Sequence, residues 1–150
     1  MEIRRAVPAD IPPLLDLIRR YWDFEEIKGF EALRIELVLQ RLLAEPAAGL
    51  IWVAESQRAL VGYLIVVLVL SLEHRGLMGE IDEFFVLPAA RSHGTGSQLL
   101  AAAEAALARR GCVRLQLQLA SANSAARSFY ERRGYGARAA YELLDKPLAR

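Results

Sequence analysis

Several features are scarce in this sequence, and each absence argues against a class of protein. Cys112 is the only cysteine among 150 residues, so no disulfide forms within the chain, and its apolar neighbours favour a buried core residue. The longest apolar run, residues 64–70, is far shorter than the ~20 residues that a membrane-spanning helix needs. Three of residues 1–5 are charged, and no apolar stretch follows them, unlike in a secretory leader. We therefore expect a soluble, cytoplasmic protein with no membrane partner.

An excess of charge of either sign is also lacking. The chain has 19 basic and 18 acidic residues, a net charge of +1, whereas nucleic-acid-binding domains usually carry a basic excess or stripe. The two histidines, His74 and His93, lie far apart and do not have the spacing of metal ligands. We therefore expect neither a nucleic-acid partner nor a metal.

Hydrophobic residues make up 54% of the sequence, which at this length suits a single domain, residues 1–150, with its own core. The apolar periodicity predicts the mixed α/β order β-αα-βββ-α-β-α-ββ, with Asp10 as the N-cap of the first helix and an apolar stripe of Leu33, Leu37 and Val38 on the second. Residues 60–72 could be a buried strand or a buried helix by periodicity alone, and their β-branched content favours a strand. The predicted strands are 2–7, 50–54, 60–72, 79–87, 113–119, 136–140 and 141–144. The first predicted helix ends near residue 21, and the other three cover 30–44, 97–110 and 125–133. Residues 22–29 are predicted to form a loop or a broken helix.

The segment Arg91-Ser92-His93-Gly94-Thr95-Gly96 follows a predicted strand and precedes a predicted helix. Its glycines permit a positive φ and the close approach of a ligand to the backbone. The amides and dipole of a helix N-terminus favour an anion there, and Arg91 and His93 add cationic character, so a pyrophosphate would suit the site. Taken alone, the segment is equally compatible with a plain strand-to-helix connection, and it matches neither a Walker A loop nor a complete dinucleotide fingerprint.

A second segment, from Asn123 to Tyr135, lies further along the chain. On its own it predicts a short helix with Asn123 as the N-cap, Phe129 in the core and Gly134 as the stop.

Together the two segments resemble the signatures of the GCN5-related N-acetyltransferase (GNAT) family. Its first signature, Arg/Gln-x-x-Gly-x-Gly/Ala after the fourth strand, is matched by Arg91, Gly94 and Gly96. Its second, Asn-x-x-Ala-x-x-Phe-Tyr-x-x-x-Gly-Phe/Tyr, is matched at every place by Asn123, Ala126, Phe129, Tyr130, Gly134 and Tyr135. The departures are Ser92 where glycine is common, His93 in place of Lys or Arg, and Thr95 where a branched aliphatic is common. The resemblance covers nearly the whole chain, and it implies the acyl-CoA N-acyltransferase fold: an α/β protein with a mostly antiparallel sheet, splayed between strands 4 and 5, and helices on both faces.

By this resemblance the co-substrate is acetyl-coenzyme A. Its pyrophosphate would bind the amides of residues 93–96, its pantetheine arm would pair with residues 85–87, and a backbone N–H near Phe85 or Val86 would polarise the acetyl carbonyl. Asn123 would bond the pantetheine amide, and Tyr130 would act as the general acid that protonates the leaving thiolate. The expected coenzyme-binding residues are Phe85, Val86, Leu87, Arg91, Ser92, His93, Gly94, Thr95, Gly96, Ser97, Asn123, Phe129, Tyr130 and Arg133, with Arg132 and Arg133 either near the 3′-phosphate or simply a solvated helix end.

The reaction implied is direct attack of an amine on the thioester. An amine with a pKa near ~10 is mostly protonated at neutral pH, so some group must accept a proton. Asp82 and Glu83 lie on the predicted fourth strand, and because strand residues alternate faces, we expect only one of them to reach the acceptor. Glu73 is a further alternative, and each carboxylate is also compatible with an ordinary ion pair.

The acceptor site in this family is usually walled by the connection between the first two helices. Here that connection contains Tyr21-Trp22-Asp23-Phe24-Glu25-Glu26, whose aromatic rings and carboxylates could bind a cation. This predicts a small cationic or polyamine-like acceptor, although a solvated loop anchored by its aromatics explains the same residues. The alternatives left open are a peptide or protein amine, a non-catalytic acyl-CoA-binding module and a small nucleotide-binding domain. By analogy with the family, a homodimer is expected.

Overall fold

The computed structural model describes residues 1–149, which form two compact units, Met1–Leu117 and a second beginning at Gln118. In the first unit the chain forms β1 (Glu2–Arg5), α1 (Ile11–Phe24), α2 (Ala32–Ala44), β2 (Gly49–Ser56), β3 (Ala59–Ser71), β4 (Gly76–Val86), α3 (Thr95–Arg109) and β5 (Arg114–Leu117), with short 3₁₀ helices at Pro8–Asp10 and Pro88–His93. The second unit contains α4 (Ser124–Glu131). Within residues 1–149, no helix combines the length and the apolar character that crossing a membrane would require.

The strands form one sheet in the order β1-β2-β3-β4-β5. Neighbouring strands are antiparallel except for β4 and β5, which are parallel. β2 and β3 are joined by a tight turn in which Gln57 and Arg58 both have positive φ, 50° and 63°, as the twist of a two-residue hairpin loop favours. The predicted fold class, a mixed α/β protein with a mostly antiparallel sheet, is confirmed.

Helices cover both faces of this sheet. On one face, α1 and α2 bury Leu14, Ile18 and Leu39 against Val53 and Tyr63 of the strands. On the other face, α3 buries a stripe at helical spacing against β2, β3 and β4. The residues of that stripe are Leu99, Leu100, Ala103 and Leu107. Because both faces are apolar, β2 and β3 are continuous hydrophobic runs without clean alternation.

Two irregularities of β4 bear on function. In the pairing with β3, Ile65 lies opposite Glu83 and Val66 lies opposite Ile81, so Asp82 is an extra residue and forms a bulge. In the pairing with β5, the register ends at Ile81, whereas β4 continues to Val86. The last part of β4 therefore runs beyond the parallel pairing, as expected for a sheet splayed between these two strands.

Asp10 is at the predicted N-cap position of α1, but its side chain does not cap that helix. Its carboxylate accepts the Val7 N–H at 2.8 Å and both terminal nitrogens of Arg4 at 2.8 Å. Arg4 also contacts Glu55 of β2 at 2.8 Å. This ion-pair group joins β1, the first 3₁₀ helix and β2, so Asp10 stabilises the junction between these elements.

Three predictions about the elements were wrong. α1 continues to Phe24 rather than ending near residue 21, so the aromatic segment is helical. The predicted apolar stripe of α2 is exposed, because the helix carries apolar residues on more than one side and buries Leu39 instead. The exposed residues are Leu33, Leu37 and Val38.

The two predicted C-terminal strands are also absent from residues 136–149, all of which are exposed. This stretch begins with glycine and several alanines, which have little side chain to pack in a sheet. A turn closed by the Tyr141 N–H and the Arg138 carbonyl at 3.1 Å interrupts it further.

Candidate active site

The predicted phosphate loop runs from the end of β4 through the 3₁₀ helix Pro88–His93 into α3. Gly94 has φ +75°, a left-handed conformation that favours glycine, and it is the N-cap of α3. The Gln98 N–H bonds to the Gly94 carbonyl at 3.0 Å. The amides of residues 95–97 therefore belong to the first helical turn, where N–H groups precede the helical ladder and favour an anion. Ser92, His93 and Gly94 are exposed, so the loop is accessible.

Thr95 is a departure from the family signature that the structure explains. Its side chain is fully buried, and its hydroxyl donates to Met1 Sδ at 3.1 Å. The side chain therefore occupies a core position like the branched aliphatic that it replaces. Any contact with a ligand would come from its backbone N–H.

Arg91 contacts the end of β4. Its Nε donates to the Val86 carbonyl at 2.9 Å. Its guanidinium carbon lies 5.2 Å from the centroid of the Phe24 ring and 5.7 Å from that of Phe85. These contacts join the predicted phosphate loop to β4 and to the last turn of α1.

The direction of the backbone at the end of β4 follows from two hydrogen bonds. The Leu87 N–H donates to the Val61 carbonyl of β3 at 2.8 Å. Because backbone groups alternate sides along a strand, Phe85 also directs its N–H toward β3, while Val86 directs both its N–H and its carbonyl away from β3. The Arg91 bond to the Val86 carbonyl agrees with this. Of the two predicted oxyanion donors, only Val86 directs its N–H away from the β3 ladder.

Glu83 is a half-buried carboxylate held by two hydrogen bonds. The indole Nε1 of Trp22 donates to Oε2 at 2.7 Å, and the Tyr63 hydroxyl donates to Oε1 at 2.8 Å. Desolvation raises the pKa of Glu83, the two donors oppose this, and the charge of Asp82 adds to it. Burial, followed by the charge of Glu83, raises the pKa of Tyr63 far above its usual range, so Tyr63 stays protonated and remains a donor.

Asp82 lies on the same side of the sheet as Glu83, contrary to the prediction that the two alternate faces. The register sets Asp82 and Glu83 together opposite Ile65, which belongs to the core cluster under α1, and the charge of Asp82 also contributes to the raised pKa values of Tyr21 and Tyr63. The bulge is the physical reason, since an extra residue breaks the strict alternation of a strand. Although the residue as a whole is exposed, partial desolvation of its carboxylate, followed by the charge of Glu80, raises its pKa.

Aromatic rings surround this pair of carboxylates. Tyr21 packs on Tyr63 and Phe85 with centroid distances of 6.4 and 5.8 Å, and Trp22 packs edge-on against Phe30 at 5.5 Å. Desolvation, then the charges of nearby carboxylates with Glu25 first, raises the pKa of Tyr21 to about 12. The site on this face is therefore aromatic, acidic and partly shielded from water.

The other predicted acceptor residues are more exposed than Glu83 or more distant from it. Asp23 and Glu26 are exposed, and of the predicted acidic residues after Trp22 only Glu25 is half-buried. Glu73 lies in the turn before β4, roughly 20 Å along the strand from Glu83 at ~3.3 Å per residue. Sequence reasoning missed Tyr63 because it stands in an otherwise apolar run. A buried tyrosine hydroxyl usually has a hydrogen-bond partner, and this was the one available signal.

The second signature segment lies in the second unit, where it forms α4. The Asn123 Oδ1 accepts the Ala126 N–H at 3.1 Å, so Asn123 caps the helix. Tyr130 is buried, and its ring contacts Phe129 and Tyr135 at centroid distances of 5.3 and 5.4 Å. The Arg133 guanidinium lies 3.7 Å from the centroid of the Phe129 ring and donates to the Phe129 carbonyl at 2.7 Å. Among residues 1–149, no three His, Cys, Asp or Glu residues are grouped to hold a metal.

Comparisons with known proteins agree with this geometry. Residues 11–135 match the family model described as the acetyltransferase (GNAT) family. The chain is 30% identical over 139 residues to the uncharacterized N-acetyltransferase YhfO of Bacillus subtilis, covering 90% of this chain and 89% of that protein.

Solved structures share the fold. An integron cassette protein from the mobile metagenome of Cole Harbour Salt Marsh superposes with a TM-score of 0.86 at 28% identity, over 99% of this chain and 91% of its own. An aminoglycoside 6′-N-acetyltransferase from Acinetobacter haemolyticus superposes with a TM-score of 0.79 at 19% identity, over 99% of this chain and 100% of its own.

Proposed function

The chain belongs to the GNAT acetyltransferase family, and we propose that it transfers the acetyl group of acetyl-coenzyme A to the amine of a small cationic acceptor. The observation that carries the acceptor half of this proposal is the Glu83 carboxylate, held by Trp22 and Tyr63 among aromatic rings. It lies on β4, directly before the residues that the family uses for the donor.

For the donor, the accessible loop at the start of α3 supports pyrophosphate binding by the amides of residues 93–96. The outward direction of the Val86 backbone supports pairing with the pantetheine arm, and it favours the Val86 N–H over that of Phe85 as the group that polarises the acetyl carbonyl. One such oxyanion donor contributes roughly a hundredfold or more in rate. Coenzyme A suits the residues present, because the loop provides both backbone amides and an accessible surface.

In the reaction, the acceptor ammonium first loses a proton to a carboxylate, directly or through water. The amine nitrogen then attacks the thioester carbon, so that a C–N bond forms and the C–S bond breaks. The departing sulfur takes a proton from a general acid, and the family resemblance assigns this role to Tyr130. The first ammonium proton passes from the carboxylate to solvent, and the second, lost by the nitrogen once the C–N bond has formed, replaces the proton that the general acid gave to sulfur. The products are an N-acetylated amine, coenzyme A as the free thiol and one proton.

The chemistry of the acceptor follows from the charge of the site. Asp82, Glu83 and Glu25 all act on the tyrosines of this face, and each is negative when ionised. Partly shielded carboxylates beside aromatic rings favour a cation through charge and cation–π attraction. The Acinetobacter structure is named as an aminoglycoside acetyltransferase, and aminoglycosides are small molecules with several amines. We therefore place aminoglycosides and simple di- and polyamines first among acceptors to test.

The test is release of free thiol from acetyl-coenzyme A in the presence of a panel of small amines, aminoglycosides and peptides. We expect turnover with small multivalent amines and little with peptides, and the reverse result would contradict a small acceptor. Tyr130→Phe should keep coenzyme affinity and reduce turnover, since binding does not need the acid. If the wild-type protein binds acetyl-coenzyme A and no acceptor releases thiol, the protein is an acyl-CoA-binding module instead.

A further inference from the structure

We propose that Trp22 and Tyr63 are positioning residues that fix the Glu83 carboxylate as the anchor for the acceptor's ammonium group, and that Asp82 is the residue that accepts its proton. This rests on the proposed function, and it gives separate roles to two carboxylates of which strand alternation predicted that only one would reach the acceptor.

The two carboxylates differ in their hydrogen bonding. Both oxygens of Glu83 accept a hydrogen bond, at 2.7 and 2.8 Å, from donors on two different elements, α1 and β3. Hydrogen bonds to an ionised group are short and favour the charged form. Although desolvation raises the pKa of Glu83, these two bonds fix its orientation, and protonation at either oxygen would weaken one of them. Glu83 is therefore better placed to hold an ammonium ion than to exchange a proton with it.

Asp82 also differs from Glu83 in its position on β4. It is the extra residue of the β4 bulge, so its carboxylate reaches the face of Tyr21 and Tyr63 without taking part in the clamp on Glu83. It is exposed, so it can pass a proton to water. Desolvation raises the pKa of both carboxylates, so what distinguishes them is geometry: Asp82 is exposed and stands outside the two hydrogen bonds that hold Glu83.

The groups that act directly on this pair are acidic or neutral. Trp22 of α1 and Tyr63 of β3 donate to Glu83, and the charge of Glu80 acts on Asp82. The Arg91 guanidinium lies 5.7 Å from the Phe85 ring and donates to the Val86 carbonyl. No Lys or Arg contributes to the shifted pKa of Asp82 or Glu83. An ammonium ion would therefore be the cation that balances the site.

The proposed proton transfer involves one N–H bond of the ammonium group and one oxygen of Asp82. The ammonium approaches Glu83, one N–H proton moves to an Asp82 oxygen, and the resulting amine lone pair is free to attack the thioester carbon. Asp82 then releases the proton to solvent. Glu83 gains and loses no bond, so its contribution is to binding and orientation.

The kinetic test separates KM for the amine from kcat. Tyr63→Phe removes one donor without changing the ring, and we expect KM for the acceptor to rise about tenfold, the order expected for a lost hydrogen bond to a charged group. Trp22→Phe should act in the same direction. Asp82→Asn should instead lower kcat about a hundredfold, typical of a lost general base, and remove the acidic limb of the pH profile of kcat/KM. In Tyr63→Phe that limb should remain.

Two control variants separate positioning from stability. Tyr141→Phe changes an exposed tyrosine, and it should leave both constants unchanged. Trp52→Phe truncates a buried tryptophan that packs under Arg5, so it controls for the stability cost of Trp22→Phe. If Glu83→Gln removes the acidic limb and Asp82→Asn leaves it in place, the two roles are reversed and the proposal is wrong.

A second readout does not need turnover. Carboxyl ¹³C NMR titration of the intact protein should show the Glu83 midpoint rising in Tyr63→Phe, since the lost hydrogen bond favoured the charged form, with a smaller change at Asp82. Titration with 1,4-diaminobutane should shift the Glu83 resonance, and Glu83→Gln should weaken this binding about tenfold. An unchanged Glu83 midpoint overturns the clamp even if the protein acetylates amines. Absence of thiol release with every amine overturns the proposed function instead.

Discussion

Among single residues, Arg91 illustrates how a signature position can act through the backbone. Its Nε bond to the Val86 carbonyl ties the phosphate loop to the strand that would carry the donor's thioester. Glutamine, the other residue common at this position of the family signature, also carries a side-chain N–H that can reach a carbonyl. The alternation of Arg and Gln is therefore explained by the bond to Val86 more simply than by a charge–phosphate contact.

This explanation predicts the effect of two substitutions at Arg91. Arg91→Gln should keep kcat/KM for acetyl-coenzyme A within about threefold, and Arg91→Met should lower it about tenfold, the lower range for a hydrogen bond that involves a charged group. Initial-rate kinetics with varied acetyl-coenzyme A measure both. An equal loss in the two variants would show that the guanidinium charge matters more than the bond.

At the scale of elements, α4 combines a structural and a proposed functional role in one residue. Asn123 caps the helix through Oδ1, which leaves its NH₂ group to contact the pantetheine amide. Asn123→Asp keeps the capping oxygen and should leave the free energy of unfolding nearly unchanged, while Asn123→Ala should lower it by about 1 kcal/mol. Both variants should weaken coenzyme binding, measured by calorimetry. If Asn123→Asp binds as tightly as the wild type, the residue is a helix cap and nothing more.

Elements also show where sequence reasoning succeeds and fails. The strands of the sheet and the helices α3 and α4 were predictable because their apolar spacing and their glycines are local signals. The position of the bulge at Asp82 was not, because it depends on the register between β3 and β4, which no local pattern of β4 records. The extension of α1 to Phe24 was missed for a related reason: the packing of Tyr21 on Tyr63 and Phe85 sustains the helix where the apolar periodicity weakens.

The candidate site also has one part that local sequence signals predict and one part that they do not. The backbone conformation of the proposed donor loop could be predicted because glycines at fixed spacing favour it, and Gly94 does adopt a positive φ. The acceptor side depends on tertiary contacts, such as the bonds of Trp22 and Tyr63 to Glu83, between residues far apart in sequence. Only the folded chain shows that these residues meet.

For the whole molecule, the ion pair of Asp10 with Arg4 allows us to predict how the free energy of unfolding depends on pH. The Arg4 hydrogen bonds first, and the Val7 N–H in addition, hold the pKa of Asp10 below its usual value. A carboxylate with a lowered folded pKa stabilises the protein above its unfolded pKa, and this contribution is lost as the pH falls through the folded value. Asp10→Asn should therefore cost about 1–2 kcal/mol at pH 7, moderated because Arg4 keeps Glu55 and some solvent contact.

The difference between wild type and Asp10→Asn should then shrink as the pH is lowered from about 5 to about 2, because the wild-type carboxylate becomes protonated. Urea unfolding at several pH values measures it. A difference that stays constant over this range would mean that packing, and not the ion pair, is what the substitution removes.

The thermal unfolding midpoint of the whole molecule tests which ligand the protein binds. Coenzyme A is the ligand that the family resemblance implies for the two signature segments. A ligand that binds only the folded state at a hundred times its Kd stabilises that state by about 2.7 kcal/mol. For a chain of this length, that corresponds to a rise in the unfolding midpoint of roughly 5–10 °C. ATP and NAD share the adenine and the phosphates but lack pantetheine, so at equal concentration they should shift the midpoint by less than about 1 °C. Equal shifts with ATP and coenzyme A would assign the loop to nucleotides in general and remove the support for an acyl donor.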